Sequence, residues 1–272
     1  SGACLFPDAG VAVIDEGGLH LIVDAGPFGG GAGGHSHSDT LSIVARAGAE
    51  EILIDPGTYT YVSDHDLRNL FRGSGAHNTL RVNGANQGVP GGPFSWRNKP
   101  EVRLLGWRSE RDHVWLDAEC CYAGIRHRRG VLLLRPHVLF VMDEASGPNG
   151  RRVLEQCWHF GEKVAPLTLG GFRIGSRTLL SVAGFDSLDL SEGHELGWRS
   201  PVFGTKLPAP ILRARRECEL PSRIWAVLDF SGPEETSLSA EPGARCVYRT
   251  SRRKIVVQLE ETASPVWETA AV

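Results

Sequence analysis

The chain has 272 residues, a formal net charge of −3 at pH 7 and a pI near 6.4. That balance excludes a nucleic-acid partner held mainly by counterion release, which needs a basic face. No apolar run approaches the roughly 20 residues needed to span a bilayer, and the first residues lack a basic and hydrophobic leader pattern, so no membrane insertion is expected.

In chain order, residues 19–24 read as a strand that leads into the glycine-rich segment 26–34. Residues 41–46 and 51–55 flank an Ala-Gly-Ala turn and read as a hairpin. Residues 64–71 form the best short helix, with Asp64 or Asp66 as its cap. The strand 79–82 stops at Asn83-Gly84, a strong turn signal. Further strands are expected at 114–118, at 130–134 and 138–142 joined through Arg135-Pro136-His137, at 224–230 and at 254–259.

Sustained helical periodicity is absent. With 33 glycines and 16 prolines punctuating short β-like runs, the expected fold is all-β: one large antiparallel β-sandwich over 1–272 with few short helices. The Gly29-Gly30-Gly31-Ala32-Gly33-Gly34 run is not a phosphate cradle, because no Gly-Lys-Ser/Thr follows and the next segment is not helical. Its glycines instead give the backbone freedom beside the histidines that come next.

Six cysteines show no Cys-x-x-Cys pairing, and adjacent Cys120 and Cys121 would face opposite ways on a strand; most are expected to be small buried hydrophobes. The basic runs at 126–129 and 213–216 are expected to be solvated or paired strand arginines, not a polyanion stripe. Trp96, Trp107 and Trp115 belong to the core or, in a sugar-binding module, to stacking faces.

Three polar clusters lie between the strands: Gly33-Gly34-His35-Ser36-His37-Ser38-Asp39, then Asp55-Pro56-Gly57-Thr58-Tyr59, then Gly75-Ala76-His77-Asn78-Thr79. Imidazoles from His37 and His77 with the Asp55 carboxylate make a donor set that suits zinc; the plain alternative is three unrelated polar residues at strand ends. On a regular strand His35 and His37 would share a face and both would reach the ion. Read alone, three protein ligands leave room for a metal-bound water and so for a zinc hydrolase.

The order Gly-His-x-His-x-Asp-x-Leu-Ser, Asp-Pro-Gly-Thr-Tyr, Ala-His-Asn-Thr resembles the C-terminal β domain of heparinase II/III-like polysaccharide lyases. The likeness is densest over residues 6–87 and extends through Pro90-Gly91-Gly92-Pro93-Phe94 and the His127-Arg128-Arg129 strand. The resemblance implies a supersandwich-like fold and one structural zinc per chain on His37, Asp55 and His77. It also implies an irregular segment that turns His37 to the ion and His35 to the cleft. The implied chemistry is β-elimination on a uronic-acid-containing acidic polysaccharide such as a glycosaminoglycan. His35 is then the leading proton carrier, Tyr59 and Arg72 are further catalytic candidates, Tyr61 stands behind them, and Arg72 and Asn78 are candidate substrate contacts. Arg72 serves equally as a loop prop, and Asn78 as a fixture for the backbone around His77.

The same resemblance implies a helical toroid domain ahead of this one, which supplies the remaining catalytic residues, so the isolated chain is expected to be catalytically incomplete. A secreted or periplasmic location is implied as well. A non-catalytic carbohydrate-binding or structural module is the alternative of a different class.

Overall fold

A computed structural model describes residues 2–167, 171–232, 235–261 and 263–272. Strands dominate. The first five strands, Gly2–Phe6, Val11–Glu16, Leu19–Asp24, Ile43–Ala47 and Glu50–Leu53, form one antiparallel sheet in sequence order. A second sheet of eight strands has Ser222–Asp229, Val138–Ser146, Ile125–Leu134 and His113–Tyr122 as successive neighbours through its middle. A four-stranded sheet carries Leu80–Val82, Arg151–His159, Pro210–Glu219 and Ser187–Glu192; another, from Thr236–Glu241 to Val266–Ala271, closes the chain.

The eight-stranded sheet is covered on both faces, and its pleat sorts consecutive residues between two cores. Val131, Leu133, Leu139, Val141, Ile224 and Ala226 point into the larger core, with Leu21, Ile43, Leu80 and Trp158 from the five- and four-stranded sheets. Leu132, Leu134, Phe140, Met142, Trp225 and Val227 point the other way, onto Cys246, Tyr248, Ile255 and Val257 of the C-terminal sheet. The result is three stacked layers of the expected antiparallel sandwich. Double burial also explains why these strands read as continuous apolar runs instead of alternating ones.

Local expectations are met closely. The helix is His65–Phe71, and the Asp64 side chain caps it by accepting from the Leu67 N–H at 2.9 Å. The hairpin pairs Ile43–Ala47 with Glu50–Leu53 around Gly48 and Ala49. Asn83 and Gly84 both have positive φ, and the Ala85 N–H closes the turn on the Val82 carbonyl. The cysteines are free, with Cys120 buried and Cys121 half-exposed on opposite faces. Trp115 is in the core and Trp96 is 7% exposed, so neither offers a face to a sugar, while Trp107 packs half-buried at the margin of the core.

The 126–129 arginines are paired, and two of them are buried. Arg128 forks onto both oxygens of Asp117, each at 2.8 Å. On the opposite face Arg129 forks onto Asp143 at 2.7 and 2.6 Å, and both side chains are wholly enclosed. His127 and Gln156 also bond Asp143, each at 2.7 Å. Burial pushes the Asp143 carboxyl up, but Arg129 and His127 outweigh it and hold it well below the usual carboxylate range. The remaining Arg129 nitrogen donates to the carbonyls of Leu41 (2.7 Å) and Asn78 (2.6 Å), which belong to the two histidine segments.

Arg129→Met removes the cation and leaves Asp143 buried without its main partner. It should lower unfolding free energy by about 3–5 kcal/mol, read as a reduced urea midpoint by circular dichroism. An unchanged midpoint would mean that the pair does not support the sheet.

Candidate metal centre

The 25–42 segment leaves the sheet after Asp24 and re-enters it at Ile43 without forming a strand, so His35 and His37 are not held to one face. Its path is fixed from below. The Ser38 N–H donates to the Arg72 carbonyl at 2.8 Å, Ser38 Oγ bonds Ser74 Oγ at 2.8 Å, and Gln87 clamps Thr40 through both its N–H and its carbonyl. Leu41 takes a positive φ of 65°, a costly conformation for a leucine, and its carbonyl is the one bonded by Arg129.

Asp55 closes an Asx turn: one carboxylate oxygen accepts from the Gly57 N–H at 2.8 Å while the other meets His77 Nδ1 at 2.8 Å. Gly57 sits at φ +77°, and a Cβ there would lie 2.5 Å from the Ser200 carbonyl oxygen. Only glycine lets the two chains approach at this point.

His37, Asp55 and His77 converge, each offering a ligand atom within 4.8 Å of the others. A tetrahedral zinc with bonds near 2.0–2.1 Å asks for ligand separations of about 3.3 Å, so a small inward movement of side chains suffices. Two features of the surroundings fit a cation, and one rearranges on binding it. His77 is fully buried, and its Nε2 has no hydrogen-bond partner. His37 Nε2 faces Thr58 Oγ1 at 3.1 Å and Arg68 at 3.4 Å, both able to donate to its lone pair, so a metal bound at this nitrogen displaces them. Finally, Asp24 and Asp39 stand beside Asp55 around His77. Burial and the Asp39 charge push Asp24 up to about 7, with the Gly26 N–H and His77 pulling against them.

The two imidazoles are tuned apart. Burial, then the neighbouring His77, pushes His37 down to about 3, so it is neutral near pH 7. Burial also disfavours charge on His77, but Asp55, Asp39 and Asp24 together raise it above the ordinary histidine value. Asp55 shows the converse: desolvation pushes its carboxyl up, and His77 more than reverses this.

His35 stands outside the ligand group and is exposed. It lines a cleft of about 480 Å³ with Asp24, Phe28, His37, Asp39, Asp55 and Thr58. Its ring meets Tyr61 edge-on, with centroids 5.8 Å apart. Tyr59 is half-buried and stacks on Phe71.

Arg72 and Asn78 do not face the cleft. Arg72 is 1% exposed, lies over the Trp96 ring, and spends its guanidinium on Asn69 Oδ1 and the Gly92 and Pro93 carbonyls. Asn78 is fully buried: its amide donates to the carbonyls of Ile43 and Ile54, and its oxygen accepts from the His159 N–H. A substrate finds no free polar atom on Asn78, and the accessible role left to both residues is to hold loops.

Two participants escaped the sequence reading. Arg68 was hidden because an arginine in a short polar helix looks solvent-facing; it lies one turn before Arg72 and bridges the Pro93 and Gly34 carbonyls beneath Tyr61. Asp24 ends a strand whose alternation gave no hint that the next segment folds back over it.

A family model described as heparinase II/III-like, C-terminal, matches residues 2–261. No curated protein matches the chain significantly. Solved structures similar to it include heparan sulfate lyase HepC from Pedobacter heparinus, with 16% identity and a TM-score of 0.72 over 100% of this chain and 42% of that one. A heparinase III gene product matches with 15% identity and a TM-score of 0.75, again over 100% and 42%. Another heparinase III structure gives 15%, 0.70, and 99% and 42%. These identities carry the fold, and this chain spans 42% of the length of those proteins.

Gly57→Ala forces a Cβ into the Ser200 carbonyl at a left-handed φ. A stability loss of about 1–3 kcal/mol is expected in urea titration, together with weaker metal retention, because the Asx turn that aims Asp55 is displaced. His159, fully buried, bonds the Gly75 carbonyl at 2.9 Å, and burial pushes it down to about 4. Its depressed pKa means that it contributes stability present above the unfolded value near 6.5 and lost as pH falls toward 4, on the order of 3 kcal/mol in all. His77, raised by its carboxylates, acts in the opposite sense. The difference between wild type and His159→Gln, followed by urea midpoints from pH 7.5 to 4.5, isolates the His159 part; parallel curves would refute it.

Proposed function

The chain belongs to the heparinase II/III-like C-terminal family, and from that premise we propose that it is a zinc-binding β-sandwich domain of a lyase that cleaves uronic-acid-containing polysaccharides by β-elimination. The observation that carries this reading is the division of labour around one cleft: His37, Asp55 and His77 converge, while His35 stands apart and exposed. The whole of 1–272 acts as one domain and works together with a helical domain of the same protein.

Bound zinc supplies a structural cross-link between three segments that are far apart in the chain. The chain's own residues do the rest. His35 takes the C5 proton of the uronate or bonds its carboxylate, since an imidazole can either accept or donate a proton. Tyr59, half-buried against Phe71, is a further candidate behind it. Arg68 holds the Gly34 carbonyl next to His35 and lies under Tyr61, which braces the segment that carries both histidines. Asp55 and the Asx turn aim His77. Elimination leaves a C4=C5 double bond conjugated with the carboxylate, whereas hydrolysis creates none.

Elemental analysis of chelator-free protein should find near-stoichiometric zinc, and His77→Ala should abolish it. Because His77 carries raised proton affinity in the metal-free site, zinc uptake at neutral pH should release a proton, and affinity should fall as pH falls. Calorimetry in two buffers of different ionisation enthalpy measures that proton; no release would contradict the assignment of His77 as a ligand. In an enzyme carrying this domain with its helical half, His35→Ala should keep zinc and melting temperature and lower formation of the ultraviolet-absorbing product on the order of 10²-fold. Zinc loss in that variant would place His35 in the metal shell instead.

A further inference from the structure

The buried tryptophans leave the cleft without an obvious apolar face, yet one exists beside His35. Phe94, Tyr61 and Phe203 stand in a row, with Tyr61 in the middle: its ring is 5.3 Å from that of Phe94 and 5.6 Å from that of Phe203, inclined by 26° and 23°. The outer rings are open to solvent, Phe94 at 45% and Phe203 at 66%. His35 meets this row edge-on, 5.8 Å from Tyr61 and 6.1 Å from Phe94, so the row adjoins the cleft through a residue that lines it.

The row is built, not incidental. Arg68, itself buried, lies under Tyr61 with its carbon 4.8 Å from the ring centroid. Phe203 is carried by a loop tied to the metal-ligand segment: the Ser200 N–H donates to the Pro56 carbonyl, Ser200 Oγ to Thr58, and the Gly204 N–H to Tyr59. Exposed phenylalanines lose solvation free energy, and holding them rigidly in line beside a polar cleft gives a preorganised contact surface.

We propose that the stack of Phe94, Tyr61 and Phe203 forms a sugar-binding subsite, in which the open rings of Phe94 and Phe203 hold pyranose rings of the substrate chain next to the sugar at His35. Apolar C–H faces of pyranoses pack on aromatic rings, while hydroxyls and carboxylates remain free for the polar cleft. The identity of the occupant as a polysaccharide rests on the reading of the preceding section, and continuity with the cleft at His35 is what favours it over a protein partner.

The test uses the full-length protein, with a heparan sulfate decasaccharide and an alginate decamer as probes in titration calorimetry. Phe94→Ala and Phe203→Ala should each weaken binding of at least one probe about 10-fold, the scale of one well-packed aromatic anchor, and raise KM in parallel. Phe203→Trp should restore binding, and zinc content should not move. Binding that is unchanged in both alanine variants, or a wild type that binds neither probe, overturns the subsite. So does a fall in melting temperature of several degrees with binding intact, which would show another segment of the protein covering the row. The two readings fail separately. Weakened binding with no unsaturated product from any acidic polysaccharide keeps the subsite and removes the lyase; unsaturated product with normal binding in the variants does the reverse.

Discussion

The buried fork of Arg129 on Asp143 is the constraint on which the site depends. An ion pair removed from water is stable only when every hydrogen-bonding group on it is used, and here the spare guanidinium nitrogen is used on the carbonyls of Leu41 and Asn78. Those carbonyls belong to the segments that carry the two candidate zinc histidines. Asn78 then passes the constraint on, to Ile43 and Ile54 through its amide and to His159 through its oxygen. Strand and loop are therefore locked by polar bonds inside a largely apolar core, where leaving any one unmade is expensive.

Above that lock the electrostatics run the other way. Asp24, Asp39 and Asp55 surround one buried imidazole, and burial with mutual repulsion lifts Asp24 to about 7. Such a carboxylate cluster is unfavourable by itself and would repel an acidic glycan. A divalent cation at His37, Asp55 and His77 relieves both problems, which gives the proposed zinc an electrostatic role besides its cross-link. The arginines nearest the site are spent on carbonyls and neutral side chains, so they set geometry more than they attract substrate.

Much of the fold was legible in the chain. Period-two and continuous apolar runs gave the strands, Asp64 gave the helix start, and Asn83-Gly84 gave a turn, because each is decided by neighbours a few residues away. His37, Asp55 and His77 stood out for the same reason, as metal-capable groups in polar breaks between strands. Arg72 and Asn78 illustrate the limit. Their side chains are of a kind that binds carboxylates or sugars, and nothing local says that backbone carbonyls from distant loops have already claimed them.

Sequence by itself determined the all-β class, the antiparallel pairing of adjacent strands and the candidate donor set, since backbone propensity, side-chain alternation and ligand chemistry are local properties. Tertiary structure alone decided that one sheet is buried on both faces, that Asp24 and Asp39 join the cleft with Arg68 buried behind it, and that Phe94, Tyr61 and Phe203 line up beside His35. Each of these outcomes depends on contacts between segments tens to more than a hundred residues apart, and side-chain burial at that range follows from the packing of whole sheets, which no short stretch of chain encodes.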